Sequence, residues 1–185
     1  KTTLEGTNLT AGDGGINIAA ESLDFKAAKD TFESSSLSID VAASMELEAT
    51  ALAGANIDAK ANFSSDVNIA SSSGTNAVVG SLNSGGGLNI TTRGDTRLEG
   101  TQINVAGDTN VAAGGNVSIE AARNTSQSDS LSVSVAVGID KDKSAANLKA
   151  GVEIKSENSS EAVVSNINTG GSLNISSGGN MTIEG

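Results

Sequence analysis

Leu88-Asn-Ile-Thr-Thr-Arg-Gly94, Asp95-Thr-Arg-Leu-Glu-Gly100, Thr101-Gln-Ile-Asn-Val-Ala-Gly107, Asp108-Thr-Asn-Val-Ala-Ala-Gly114 and Gly115-Asn-Val-Ser-Ile-Glu-Ala-Ala122 run on without interruption. Each piece holds apolar residues at alternating positions (Leu88/Ile90, Ile103/Val105, Val117/Ile119) between Gly or Asp breaks. Alternation puts those side chains on one strand face and the Asn, Ser, Thr and Glu on the other. Three pieces make a turn of roughly 20 residues, the length of one coil of a triangular β-solenoid. Gly is expected to supply positive-φ corners, while Asn and Asp tolerate the left-handed region and bond their own backbone. The predicted fold is an all-β parallel β-helix whose coils pair at ~4.8 Å.

The chain also repeats on a longer scale. Thr3-Leu-Glu-Gly-Thr7 returns as Arg97-Leu-Glu-Gly-Thr101, and Ile183-Glu-Gly185 begins it again. Ala77-Val-Val79 with Asn83-Ser-Gly-Gly-Gly-Leu-Asn-Ile90 returns as Ala162-Val-Val164 with Asn168-Thr-Gly-Gly-Ser-Leu-Asn-Ile175. Stacked repeats tolerate length change because each unit touches mainly its neighbours. The expected organisation is one solenoid window over 1–185, with repeat one at 4–97, repeat two at 98–182 and a third starting at 183–185. Further repeats of the same polypeptide are expected at both ends.

Composition narrows the function classes. The chain has no Pro, Cys, His, Trp or Tyr and only three Phe. Without His or Cys, the commonest general base, thiol nucleophile and transition-metal ligands are missing. A net charge of −11 disfavours a nucleic-acid partner and an anionic membrane surface. No apolar run approaches the ~20 residues of a membrane-spanning helix. A narrow coil is expected to favour small aliphatic side chains and to leave little room for an aromatic ring inside.

Two stretches depart from the coil pattern. Leu131 to Ile139 alternates strictly, 140–147 is polar, and Leu148 to Lys155 alternates again. This predicts a hairpin with a charged tip (Asp140, Lys141, Asp142, Lys143), able to lay its apolar face on a flank of the helix. The first repeat has a looser counterpart over 31–76, readable as a hairpin or as additional coils.

The blocks Leu98 to Ile103, Ala106-Gly-Asp108, Ala113 to Ile119 and Glu120 to Asn124 resemble the haemagglutinin repeats of filamentous-haemagglutinin-type exoproteins. Ser130 to Gly138 and Val164 to Ile175 are similar to that family too, and the first repeat departs from it at Met45, Glu46, Glu48 and Ala49. The resemblance implies a right-handed parallel β-helix in a large Gram-negative surface protein, exported by an outer-membrane partner of a two-partner secretion system. It implies a structural or delivery segment, serving either adhesion or contact-dependent growth inhibition with a C-terminal toxin. Target-cell outer-membrane components are the further partners it implies.

Candidate chemistry is sparse, and no catalytic, cofactor-binding or metal-ligating residue is assigned. Glu46 and Glu48 stand about 7 Å apart on one strand, within reach of an inverting carboxylate pair. A solvated face beside inward Met45 and Leu47 explains them more simply. Gly114-Gly-Asn116 and Gly178-Gly-Asn180 have the look of calcium-binding repeats, but corner turns account for them. The sequons at Asn116 and Asn180 follow from composition, and Arg93, Arg97 and Arg123 are too scattered for an anion site. A carbohydrate-active β-helix enzyme and a protein-binding module acting through Leu131–Ile154 are the alternatives to the structural reading.

Overall fold

The computed structural model describes residues 1–49, 57–140 and 145–184, with side chains at 48–49, 57–58 and 145 excepted. The described chain is all strand and turn, and it divides into two units.

The first unit is a parallel β-helix. A leading strand, β1 (Thr2–Glu5), is followed by a three-strand coil of β2 (Asn8–Ala11), β3 (Ile16–Ala20) and β4 (Leu23–Lys26). Two long strands, β5 (Ala28–Ala49) and β6 (Ile57–Val78), then interrupt the helix. Coil two is β7 (Gly80–Ser84), β8 (Leu88–Thr92) and β9 (Thr96–Glu99); coil three is β10 (Thr101–Val105), β11 (Thr109–Ala113) and β12 (Val117–Glu120). A second long pair, β13 (Ala122–Asp140) and β14 (Ala145–Val163), precedes coil four, β15 (Asn166–Thr169), β16 (Leu173–Ser177) and β17 (Met181–Ile183). Equivalent strands stack into three parallel sheets, ordered β1-β4-β9-β12-β17, β2-β7-β10-β15 and β3-β8-β11-β16.

The inward register is the one the alternation predicts. Leu88, Ile90, Ile103, Val105, Val117 and Ile119 are all buried. In uninterrupted coils a residue pairs with the one 21 positions on, as Gly80 with Thr101 and Leu88 with Thr109. Asn8 pairs instead with Ser81, 73 positions on, so the first excursion adds 52 residues to a coil. Gln102 pairs with Asn166, 64 positions on, so the second adds 43. The helix thus resumes in register after either one, and the length difference lies wholly outside the coil.

One expectation fails in the core. Phe25 is fully buried, directly between Leu4 and Leu98 in the stack. Space for its ring comes from Gly80, where an added Cβ would come within 2.4 Å of it. Position 101, which pairs with Gly80 in the next coil, can be Thr because Leu98 stands where Phe25 does.

Glycine corners are of two kinds. Gly6 and Gly100 have φ of 53° and 55° and end β1 and β9, turning the chain into the next coil. The Gly-Gly corners of the later coils owe their glycines to close approach instead, whereas Gly15 in the first has a φ of 77°. A Cβ at Gly114 would lie 2.1 Å from the Arg93 carbonyl oxygen, and one at Gly178 would lie 2.3 Å from that of Gly114. Positive φ therefore explains only part of the glycine content, and tight stacking of successive corners explains these others.

The strand register identifies what replaces the turning glycine at an excursion. Glu5 pairs with Lys26 and Glu99 with Glu120, so Ala27 and Ala121 occupy the position of Gly6 and Gly100. At both, the chain leaves the helix. A Cβ disfavours the left-handed conformation that makes the turn, so the strand runs on.

The second unit, Phe32–Ser73 with Ser126–Asn158, is a four-stranded sheet ordered β5-β6-β13-β14. Its strands are antiparallel. The Thr75 and Thr125 hydroxyls are 2.8 Å apart, whereas a Cβ on Gly138 would sit 3.1 Å from Asn62. Ser156 donates to Asp129 at 2.6 Å, while a Cβ on Gly151 would meet Ser134. Ala43 and Met45 share a recess with Ala61 and Phe63, while Glu33 and Ser35 share one with Ser71 and Ser73. The first excursion is thus a hairpin and not extra coils. The second is longer than alternation marks it, because polar flanks such as Arg123–Ser130 and Ser156–Val163 also pair through their backbones. Lys141, Asp142 and Lys143 of the expected tip lie outside the described residues.

Candidate functional site

The coil presents polar ladders to solvent. Asn104 donates to Asn83 at 3.1 Å and Asn110 to Asn89 at 2.8 Å, each pair one coil apart. Equivalent amides thus satisfy one another along the stack, which stabilises register and leaves the surface hydrophilic.

The corners flagged for calcium form ladders of the same kind. Asn116 N–H donates to Asp95 Oδ1 at 2.7 Å, Asn180 N–H to Asn116 Oδ1 at 2.9 Å, and Ser172 N–H to Asp108 Oδ1 at 2.7 Å. In each the side-chain oxygen caps the backbone of the next coil. Turn chemistry anticipates a bond from each side chain to its own backbone. These oxygens instead accept from the corner one coil on, so they tie successive corners together.

Charge is concentrated on the outer face of the β4-β9-β12 sheet. Arg97 contacts Glu99 at 2.6 Å, Glu120 at 2.8 Å and Asp24 at 3.5 Å, and Lys1 reaches Asp24 at 3.0 Å. The Arg97 hydrogen bond, reinforced by Ser118, holds the Glu120 carboxyl below its usual range. Burial pushes the Asp24 carboxyl up, but the hydrogen bonds and charges of Lys1 and Arg97 outweigh it and the net direction is down. Arg93 pairs with Glu21 at 3.2 Å and Arg123 with Glu184 at 3.1 Å. Each guanidinium serves the carboxylates around it. Sequence spacing does not show the Arg97 cluster, because its members come from three coils.

Glu46 is exposed on β5, and the side chain of Glu48 lies outside those described. The neighbours assigned inward are not inward: Met45 is 75% exposed and Leu47 65%. They belong to the second unit's sheet, on which odd positions of β5, β6 and β13 and even positions of β14 share one face. Over Leu37–Leu47, Phe63–Ile69, Leu131–Ile139 and Leu148–Ile154 that face is apolar apart from Ser65. The opposite face carries Ser38, Asp40, Asn62, Asp66, Ser134, Lys149 and Glu153. The sheet is amphipathic as expected, yet its apolar side chains stay exposed, Leu37 at 64%, Val152 at 68% and Ile154 at 76%.

Parallel coils, polar ladders and side excursions define a β-helical repeat segment of a structural kind. Residues 61–185 match the family described as the hemagglutinin repeat, and the chain belongs to that family. The family comprises structural, adhesin-type segments of secreted or cell-surface exoproteins. No curated protein matches the chain.

Proposed function

We propose that this segment is a rigid shaft within a surface exoprotein exported by a two-partner outer-membrane secretion system, holding an effector region away from the producing cell and against a neighbour. The observation that carries the reading is the uninterrupted backbone and side-chain stacking from coil to coil, which resumes in register after each hairpin. A stack of this kind extends ~4.8 Å per coil and depends on no cofactor or disulfide. Lack of Cys and Pro also suits export as an unfolded thread, since no redox step or slow prolyl isomerisation is needed to fold outside.

Two ends are served by such a shaft, adhesion and contact-dependent toxin delivery, and the parent gene separates them. A toxin domain at its 3′ end followed by a small immunity gene supports delivery, and their absence supports adhesion. The mechanical role is tested in the parent protein by removing coils two and three as whole 21-residue turns. Graded loss of cell–cell contact with shortening is the expected result. Full activity after the deletion would refute the shaft.

A further inference from the structure

We propose that the apolar face of the β5-β6-β13-β14 sheet is the contact through which two copies of this chain associate, sheet against sheet. Four strands at ~4.8 Å, with apolar spans averaging about eight residues at ~3.4 Å each, make a face roughly 19 Å by 26 Å. Two such faces remove about 1,000 Å² from water, the size at which a specific interface becomes possible. The exposed side chains on it include Ile39, Met45, Phe63, Ile139, Val152 and Ile154, at 46–76% exposure. Leaving so large an apolar patch in water is costly, and soluble chains that carry one use it for contact. A second copy fits best because the face carries no charged side chain over these apolar spans and matches itself in size, the conditions for an aligned sandwich with sheets ~10 Å apart. A lipid occupant is less suited: the chain has no Trp or Tyr for an interfacial girdle, and its charge of −11 repels anionic headgroups.

The test uses the full chain in sedimentation across a concentration series. Expected is a monomer–dimer equilibrium that tightens with added salt, since apolar burial drives it and net charge opposes it. Ile39→Lys and Val152→Lys, both at positions exposed in the single copy, are expected to weaken it by roughly 100-fold or more, because each places an unpaired charge in the contact. Glu153→Ser, on the opposite face, should leave it unchanged. A second readout needs no variant: peroxide oxidation of Met45 should slow as protein concentration rises, while Met181, in the coil, reacts at a constant rate. A wild-type monomer at about 100 μM overturns the proposal. So does a dimer that survives both lysine substitutions, or a concentration-independent Met45. Flotation of monomeric protein with phosphatidylcholine vesicles overturns it in favour of a lipid surface.

Discussion

Gly100→Ala probes the turn that keeps the chain on the helix. Gly100 sits at φ 55°, where an L-residue with a Cβ is disfavoured by roughly 1–2 kcal/mol. The new methyl would also fall 2.5 Å from the Ala122 Cβ. Carbon atoms rest at about 3.5–4.0 Å, so the overlap forces a backbone shift, costing ~1–3 kcal/mol on the scale of overpacked cores. Restricting the unfolded chain returns ~0.4–1 kcal/mol, which leaves a net loss of about 1–4.5 kcal/mol. Gly12→Ala is the control, since nothing lies within 4 Å of a Cβ there, and it should stay within about 0.5 kcal/mol of the parent. Urea unfolding followed by far-ultraviolet circular dichroism reads the loss in the transition of the coil unit. The double variant Gly100→Ala/Ala122→Gly removes the overlap but keeps the strained φ, so the cycle should show a favourable coupling of ~1 kcal/mol or more. A Gly100→Ala midpoint indistinguishable from that of Gly12→Ala would falsify the corner argument.

Ile103→Asp should lower coil stability by several kcal/mol, because Ile103 is fully buried and a lone carboxylate there has no partner; an unchanged melting temperature would place it on the wrong strand face. Gly80→Ala should destabilise by about 1–3 kcal/mol through contact with the Phe25 ring, and Phe25→Leu in the same chain should recover part of that loss; non-coupling in the same urea assay refutes the packing account. Asp24 and Glu120 both have carboxyls held below their usual values, so the unfolded state binds protons first as pH falls. Their contribution is complete at neutral pH and disappears below about pH 4.5, the ordinary Glu value, with a size under ~1 kcal/mol because Arg97 and its partners are partly in solvent. In Arg97→Gln the acid-induced loss over that window should shrink, and an unaltered pH profile by circular dichroism refutes the link.

The coil was legible because its information is local. In Leu88–Ala122 every strand carries its own inward pair and its own corner residues, so alternation alone yields five strands, their faces and a near-correct turn length. What stayed hidden depends on residues 21 or more positions apart. Phe25 reads as too large until Gly80 is known to lie across from it. Arg97 reads as an isolated charge until stacking brings Asp24, Glu99 and Glu120 to one face. Met45 and Leu47 alternate as an inward strand does, but alternation reports a shared face without saying what covers it. The polar flanks of the hairpins carry no apolar period at all and pair through backbone bonds that any residue but Pro can make.

The excursions follow from one residue in the corner. Strands β1, β4, β9 and β12 end alike, on Leu4-Glu5, Phe25-Lys26, Leu98-Glu99 and Ile119-Glu120, and their ladders continue one residue further. Gly6 N–H donates to Lys26, Ala27 N–H to Glu99 and Gly100 N–H to Glu120, each at 3.0 Å, so up to that bond glycine and alanine corners are equivalent. They part at the next φ. Glycine enters the left-handed region and the chain turns back onto the stack, whereas alanine pays ~1–2 kcal/mol to do so and the strand continues outward. Gly6 and Gly100 in turn need a small neighbour in the coil above, and Ala28 and Ala122 are the residues their Cβ positions would strike. The turning glycine of one coil and the exiting alanine pair of the next are therefore a matched set. The hairpin itself is unconstrained by this set, which is why the helix accepts 52 added residues at one exit and 43 at the other and still resumes its pairing. A repeat protein built this way can vary the sheets it displays without altering the shaft that displays them.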